Sequence, residues 1–172
     1  ANSLDSVSKL SAKFNDLCGI GKPSIILTNP PFGSGHDLRI KEGNILSQYK
    51  NGSQWEVGEN GSIEYSDKLN DRQGVAPELL FLEKCLNWAK DGGIIGIVMA
   101  KGQLDNREAL AVRKLVCEKA QILAVVNLHE DTFEPFCGSK ASVIFLKKTA
   151  TPMTDYRIFM AISNKVGQTS RG

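Results

Sequence analysis

The sequence has no apolar run long enough to cross a membrane. Its longest, residues 92–100, is far shorter than the ~20 residues that span a bilayer as a helix. Residues 1–9 are polar, unlike the apolar segment of a secretory signal peptide. We therefore expect a cytoplasmic protein without a membrane partner.

Cysteine is scarce and widely spaced, at Cys18, Cys85, Cys117 and Cys137. No two of them have the short spacing of a zinc site, and the two histidines of the chain do not complete one. We interpret all four as free thiols of a reducing compartment and expect no metal site. A disulfide or metal role is the minor alternative.

No charge of one sign dominates, because 21 basic and 19 acidic residues leave a net charge of +2. This balance neither supports nor excludes nucleic-acid binding, since a basic stripe can be hidden in a balanced total. A chain of 172 residues that is 41% hydrophobic has the composition of an ordinary globular domain. It is also long enough to bury a core without disulfides.

Helix and strand patterns alternate along the chain. A helix is predicted over residues 3–16, because apolar residues recur there at steps of three and four. A second is predicted over residues 77–90, because it opens with a proline. A third is predicted over residues 105–119, because residues 105–108 form a capping box. Short apolar runs predict strands at residues 24–28, 93–99, 121–128, 141–147 and 156–162. The first of these is expected to be buried on both faces, and the last is expected to be an antiparallel extension of the sheet.

This alternation implies βαβ units and a parallel sheet. The connection between residues 128 and 141 is too short for a crossover helix, so it predicts an antiparallel pair at the sheet edge. The expected fold class is therefore α/β, a three-layer sandwich of which the chain holds the second half only. Residues 33–76 are polar and rich in glycine, and they predict a flexible loop, either a lid or an insertion.

The string Asn29-Pro30-Pro31-Phe32 directly follows the first predicted strand. Ligands in open α/β sheets bind beyond the carboxyl ends of strands. The two prolines fix the backbone and leave the carbonyls of Asn29 and Pro30 without ladder partners. With the Asn29 side-chain oxygen, these carbonyls can accept both hydrogens of a planar amino group, and Phe32 offers a face for a flat heterocycle. A rigid turn with a packed aromatic ring is the alternative interpretation.

Residues 28–33, Thr-Asn-Pro-Pro-Phe-Gly, resemble motif IV of the S-adenosylmethionine-dependent DNA adenine methyltransferases. The best match is the modification subunit of type I restriction-modification systems. The resemblance covers nearly the whole chain and continues in order through residues 77–84, 89–99, 102–104, 133–148 and 166–172. The expected fold thereby becomes the Rossmann-like class I methyltransferase fold, with parallel strands and a terminal antiparallel hairpin.

The resemblance implies methyl transfer from S-adenosylmethionine to the 6-amino group of a flipped adenine in DNA. Asn29 and the Pro30 carbonyl would orient the amine, Pro31 would hold the turn and Phe32 would stack on the base. The rate would then come from positioning and electrostatics. The implied partners are DNA and the specificity and restriction subunits of a type I system.

Two departures from the family are visible. Ala100-Lys101 stands where the family usually has proline and an acidic residue, and the glycine-rich cofactor turn has no counterpart here. We therefore expect a C-terminal part of a methyltransferase domain, inactive alone and without specific S-adenosylmethionine binding. The alternatives are a methyltransferase for another planar amine (cytosine, guanine in ribosomal RNA, or a glutamine side chain) and a catalytically silent assembly subunit. Phe32 counts against glutamine modifiers, which typically carry Tyr there.

Other residues with functional potential have more ordinary interpretations. His129, Glu130 and Asp131 follow the third predicted strand, where we expect a solvated strand end instead of a metal or acid–base cluster. Trp55 and Trp88 are expected to pack instead of stacking on bases. Lys101, Arg107, Lys147 and Lys148 are candidates for DNA-phosphate contacts, although such residues are normally a solvated surface.

The strand at residues 24–28 lies in the middle of the family's sheet, beside a first strand that this chain lacks. Ile25, Ile26 and Leu27 would then form an exposed, uncharged edge that pairs with another chain. We therefore predict self-association, most simply as a two-fold dimer. The alternative is a monomer in which the N-terminal helix folds over this edge.

Overall fold

A computed structural model describes residues 4, 12–31, 38–134, 138 and 140–166. The helices in these residues are α1 (Ala12–Cys18), α2 (Gly43–Leu46), α3 (Pro77–Trp88), α4 (Gly102–Asp105) and α5 (Leu110–Lys119). The strands are β1 (Ile25–Thr28), β2 (Ser53–Val57), β3 (Ile63–Leu69), β4 (Ile94–Ala100), β5 (Ala120–Asn127), β6 (Ala141–Lys148) and β7 (Phe159–Ile162). Two short 3-10 helices span Lys50–Gly52 and Glu130–Phe133.

The main sheet has the strand order β1-β4-β6-β5-β7. β1 runs parallel to β4 and β7 runs parallel to β5, whereas β6 is antiparallel to both of its neighbours, β4 and β5. Four of the five strands therefore point the same way. Their carboxyl ends share one edge of the sheet, here called the carboxyl edge, and the opposite edge is the amino edge.

The predicted strands at residues 24–28, 93–99, 121–128 and 141–147 are confirmed to within a residue or two, but two expectations about the sheet are wrong. The antiparallel pair does not lie at the sheet edge, because β6 inserts between β4 and β5. β7 is parallel, not antiparallel, to its neighbour. The reason is that β6 ends at the amino edge, where Lys148 lies opposite Ala120, the first residue of β5. The chain therefore enters β7 from the amino edge, so β7 has the same direction as β5.

Helices α3 and α5 cover one face of the sheet and form the core with it. The strand side chains on this face include Ile95, Ile97 and Leu146, all fully buried. They pack with Leu80 and Leu86 of α3, which are also fully buried. Each such leucine contributes about 1.5–3 kcal/mol through burial. The helix predicted at residue 77 is confirmed, with Pro77 in its first turn, where a missing N–H has no cost.

The other face of the sheet is open in the residues described. Ile25, Leu27 and Phe159 are 65%, 72% and 64% exposed on it. β1 is therefore not buried on both faces as its apolar run predicts, and the described helices supply only one of the two outer layers expected. On this face Gly96 lies beneath Leu27 and Phe145. A Cβ at Gly96 would come within 2.7 Å of Leu27 Cδ2, so a larger residue there would require the Leu27 side chain to move.

Residues 38–75 contain regular structure that the sequence interpretation missed. β2 and β3 form an antiparallel hairpin, and the α2 region places Ile45, Leu46 and Tyr49 in the hydrophobic core. The premise that this stretch has few apolar anchors is therefore wrong. The flexibility expected of residues 33–76 stays a prediction.

The segment is also held by a buried carboxylate on α3. Glu83, 3% exposed, accepts hydrogen bonds from the backbone N–H groups of Lys50 and Asn51 at 2.8 and 3.0 Å. It accepts a third, at 2.6 Å, from the side-chain amide of Asn51. A buried charge is stable only when it is paired or hydrogen-bonded in this way, so Glu83 ties residues 50–51 to the core.

Local details of two predicted helix starts differ from expectation. The Asn106 side chain, not Asp105, accepts a hydrogen bond at the start of α5, from Ala109 N–H at 2.9 Å. Glu108 turns away from the expected capping box to pair with Arg39. In the described part of the N-terminal helix, Leu17 is 68% exposed, so it does not continue the apolar stripe. The predicted start of this helix, at residue 3, lies outside the described residues.

Candidate active site

The candidate site begins where β1 ends at the carboxyl edge. Thr28 is the last paired residue of β1, in register with Ile97 of β4. Pro30 and Pro31 follow within three residues and cannot donate to a strand ladder, which explains why the strand stops there. The position expected from the sequence, directly beyond the carboxyl end of a sheet strand, is therefore the one observed.

The residues of this turn differ in their exposure. Asn29 and Pro31 are exposed and Pro30 is buried, so the ring of Pro30 fixes the turn while Asn29 faces solvent. Among the described residues, no backbone N–H donates to the carbonyls of Asn29 or Pro30. Phe32 lies outside the described residues. The described turn thus offers free acceptors beside a fixed backbone, which is what a planar amino group needs.

A buried carboxylate lies at the same edge. Helix α3 runs back from the carboxyl edge to the start of β4, so Glu78 in its first turn is near this edge. Glu78 is 1% exposed. The Gln103 side chain lies near its carboxyl group, but neither carboxylate oxygen makes a hydrogen bond of normal geometry in the described part of the chain. Burial raises the pKa of the Glu78 carboxyl, which favours its protonated form.

An ion pair between Arg39 and Glu108 connects two loops near this edge. Arg39 donates to the carbonyls of Gln73 and Gly74 at 2.8 and 2.7 Å, and it forms an ion pair with Glu108. This pair joins the segment after the proline turn to the loop between α4 and α5. This pair could not be predicted from local sequence patterns, because its two residues are far apart along the chain.

Several groups for which the sequence has a more ordinary interpretation make local contacts in the described residues. His129 Nδ1 accepts a hydrogen bond from Asp131 N–H at 3.2 Å, and Glu130 pairs with Lys140 at 2.8 Å on the surface. Within the described ranges, no cluster of His, Cys, Asp and Glu could hold a metal ion. Trp88 packs, with its ring centroid 6.0 Å from that of Phe14.

The cysteines that are described are free thiols. Cys18 and Cys117 are exposed and Cys85 is buried, while Cys137 lies outside the described residues. Burial raises the pKa of the Cys85 thiol to about 12, so this thiol is unreactive at neutral pH. No described helix is long and apolar enough to cross a membrane.

A comparison with protein families gives one match. The family described as N-6 DNA methylase matches residues 8–171, nearly the whole chain. The match includes the proline turn and all five strands of the main sheet. No curated protein matches the chain.

Solved structures with the same fold include two modification proteins. One is a modification subunit assigned to a type I restriction enzyme from Vibrio vulnificus YJ016, with TM-score 0.60 and 20% identity over 93% of this chain and 28% of that one. Another is the M protein of the type I restriction enzyme EcoKI, with TM-score 0.54 and 19% identity over 99% of this chain and 30% of that one.

A third similar structure is described as a class I S-adenosylmethionine-dependent methyltransferase from Listeria monocytogenes, with TM-score 0.60 and 14% identity. That match covers 85% of this chain and 38% of the other. At these identities the likeness establishes the fold, and it confirms the Rossmann-like class I fold expected from the sequence. The chain spans about a third of the length of these structures.

Proposed function

We propose, since the chain belongs to the N-6 DNA methylase family, that it forms part of an enzyme that methylates the 6-amino group of adenine in DNA. The enzyme would act within a type I restriction-modification system, with S-adenosylmethionine as methyl donor and with the specificity and restriction subunits as partners. The observation that carries the proposal is the proline turn at the carboxyl edge, where the carbonyls of Asn29 and Pro30 accept no backbone hydrogen bond from the described residues.

In this proposal the turn holds the amino group of an extruded adenine. The Asn29 side-chain oxygen and the Pro30 carbonyl accept its two hydrogens, which fixes the amine and directs its lone pair outward. Pro31 keeps the two acceptors in place because its fixed backbone angle leaves the turn little freedom. Phe32 would stack on the base. Such positioned acceptors lower the barrier by being in place before the reaction.

S-adenosylmethionine would supply the methyl group, but the described residues do not fit it. Binding of such a cofactor in this fold class uses a glycine-rich turn between a strand and a helix, and β1 and β4 are followed instead by Asn29-Pro30-Pro31 and by Ala100-Lys101. We propose that the remainder of the protein holds the cofactor. The 172-residue chain would then not transfer methyl groups by itself.

The test is Asn29→Ala in the complete methyltransferase that contains this chain. We expect roughly a 10²-fold lower rate of methyl transfer, the usual loss for one positioned polar contact, about 3 kcal/mol of barrier. Asn29→Asp keeps an acceptor oxygen and should retain more activity than Asn29→Ala. Asn60→Ala, in the exposed hairpin turn, is the matched control and should leave the rate unchanged.

Nucleoside analysis of the methylated DNA identifies the base. N6-methyladenine as the product would support the proposal, and a methylated cytosine would contradict it. An undiminished rate for Asn29→Ala would contradict the role of the turn.

A further inference from the structure

A large groove lies between the β2–β3 hairpin and the loop that follows β4. Its volume is about 910 Å³. Four segments form its walls: residues 39–41, residues 54–55 within β2, residues 70–73 and residues 107–108. The lining residues that carry the argument are Arg39, Lys41, Trp55, Arg72, Arg107 and Glu108.

The groove is strongly basic although the chain as a whole is nearly neutral. Its lining has four basic residues and one acid, Glu108. Glu108 forms an ion pair with Arg39, and Arg39 also donates hydrogen bonds to the carbonyls of Gln73 and Gly74. Arg39 therefore fixes two walls of the groove to each other, and the charge available to a ligand comes from other residues.

Three exposed cations of the groove have no acidic partner in the part of the chain that the structure describes. Lys41, Arg72 and Arg107 are all exposed, and none of them forms an ion pair with another described residue. Like charges gathered on one groove repel each other, and an anion that binds among them relieves this repulsion. A groove of this size with three separated cations suits a chain of anions better than one small anion.

The remaining lining groups are those that contact a nucleic-acid backbone. Gln54, Asn70 and Gln73 provide amide groups, which commonly hydrogen-bond to phosphate and sugar oxygens. Trp55 is half-buried in the wall and offers an aromatic surface to a sugar or an unstacked base.

The groove is within reach of the proline turn. Arg107 and Glu108 follow α4 and thus lie beyond the carboxyl end of β4, the strand paired with β1. Arg39 is eight residues after Pro31, which at most places it about 28 Å away. That distance is less than one turn of DNA, about 34 Å.

We propose that this groove binds the phosphodiester backbone of DNA next to the adenine held at the proline turn. Lys41, Arg72 and Arg107 contact phosphates, and Trp55 packs against the backbone or an adjacent base. The proposal rests on the proposed function, because it takes DNA as the substrate. It adds a binding surface whose residues make no contact with the reacting amine.

The test compares two variants of the 172-residue chain that lose the same charge. In the first, Lys41, Arg72 and Arg107 are each changed to Gln. In the second, Lys13, Lys22 and Lys90 are changed to Gln. Lys22 and Lys90 lie at the amino edge, and Lys13 precedes Phe14, which packs on Trp88 at the end of α3. All six side chains are exposed, so both variants should fold, and thermal unfolding checks this.

Binding to a fluorescein-labelled 20-base-pair duplex is measured by anisotropy at several salt concentrations. We expect the groove variant to bind roughly tenfold more weakly or worse, and its salt dependence to lose about two to three units of slope, about 0.9 for each phosphate contact. The amino-edge variant should bind nearly as the unaltered chain does. Equal losses in both variants, or no binding by the unaltered chain at low salt, would overturn the proposal.

Tryptophan fluorescence locates the DNA independently. The chain has two tryptophans, so Trp88→Phe leaves Trp55 as the only one. We expect the emission of Trp55 to be quenched as DNA is added, in step with the anisotropy. Binding without any change in Trp55 emission would place the DNA elsewhere and overturn the proposal.

The outcome is separable from that of the proposed function. Asn29→Ala tests methyl transfer in the complete enzyme, whereas the groove variants test binding alone. A groove that fails to bind DNA leaves an effect of Asn29→Ala intact. Conversely, DNA binding in the groove would persist if the rate of Asn29→Ala were undiminished.

Discussion

Glu83 should be the strongest polar contribution to the stability of residues 38–75, and its removal should release them from α3. Glu83→Ala removes an acceptor of three hydrogen bonds and leaves the Asn51 N–H and amide groups unpaired. Asn51 is 4% exposed, so water does not replace the lost carboxylate without local opening. Charge-assisted hydrogen bonds contribute about 1.5–3 kcal/mol each, but their effects on one buried group do not add in full.

We therefore expect the free energy of unfolding to fall by about 3–5 kcal/mol in Glu83→Ala. For a chain of this length, each kcal/mol lowers Tm by about 2–4 °C, so Tm should fall by roughly 6–20 °C. Glu83→Gln keeps the shape and one acceptor oxygen and should lose about 2 kcal/mol. Glu118→Ala, an exposed glutamate on α5, is the matched control and should stay within about 0.5 kcal/mol of the unaltered chain.

Urea denaturation gives the free energies, and backbone amide exchange gives the location of the effect. Exchange in β2 and β3 should accelerate more than in β4, because the lost bonds join the hairpin region to α3 and not the sheet to it. A loss below 1 kcal/mol in Glu83→Ala would refute the reasoning about the buried carboxylate. Equal acceleration in β2, β3 and β4 would refute the local role of Glu83.

The remaining predictions concern Glu78 and the edge strand. Because the pKa of Glu78 is raised in the folded protein, the stability it contributes is present below its ordinary pKa of 4.5 and is lost as pH rises through the raised value. The free energy of unfolding of Glu78→Gln, measured by urea denaturation, should therefore rise relative to that of the unaltered chain as the pH is raised from 4 to 7. A difference between the two free energies that stays constant or shrinks over this range would contradict the prediction. At β1, light scattering at ~100 µM should give a mass above 18.8 kDa for the unaltered chain, and Leu27→Lys should shift it toward the monomer. Leu38→Lys, an exposed leucine outside the sheet, is the control, and a monomeric unaltered chain would rule out association through this edge.

The sequence predicted the elements whose signals are local. The apolar run of β4 and the proline at the start of α3 are complete within their own segments. The turn at Asn29 and Pro30 was also predictable, because two prolines end a strand wherever it lies in the sheet. These features needed no knowledge of which segments meet in space.

The hairpin was missed although its pattern is present. Ile63 and Tyr65 alternate with polar residues, as in a strand with one solvated face. The many glycines of the surrounding stretch outweighed this alternation. Each strand has fewer than three full apolar–polar alternations, so this evidence for a strand is weak compared with the high glycine content of the stretch.

The basic groove and the direction of β7 were beyond prediction from local pattern. Arg39, Arg72 and Arg107 come from three segments that only the fold brings together. The direction of β7 depends on where β6 ends, which in turn depends on β6 lying between β4 and β5. The sequence shows the strands but not the order in which they pair.

The position of β6 also constrains when the protein can fold during synthesis. Ile97 of β4 and Val125 of β5 never pair with each other, and Ile144 of β6 lies between them. A ribosome adds about 5–20 residues per second, so the roughly 20 residues from the end of β5 to the end of β6 take about 1–4 s. For that time β4 and β5 have been made but lack the strand that joins them. The edges of β4 and β5 that pair with β6 therefore stay unpaired until β6 leaves the ribosome, and chaperones that shield such edges have their greatest effect in this interval.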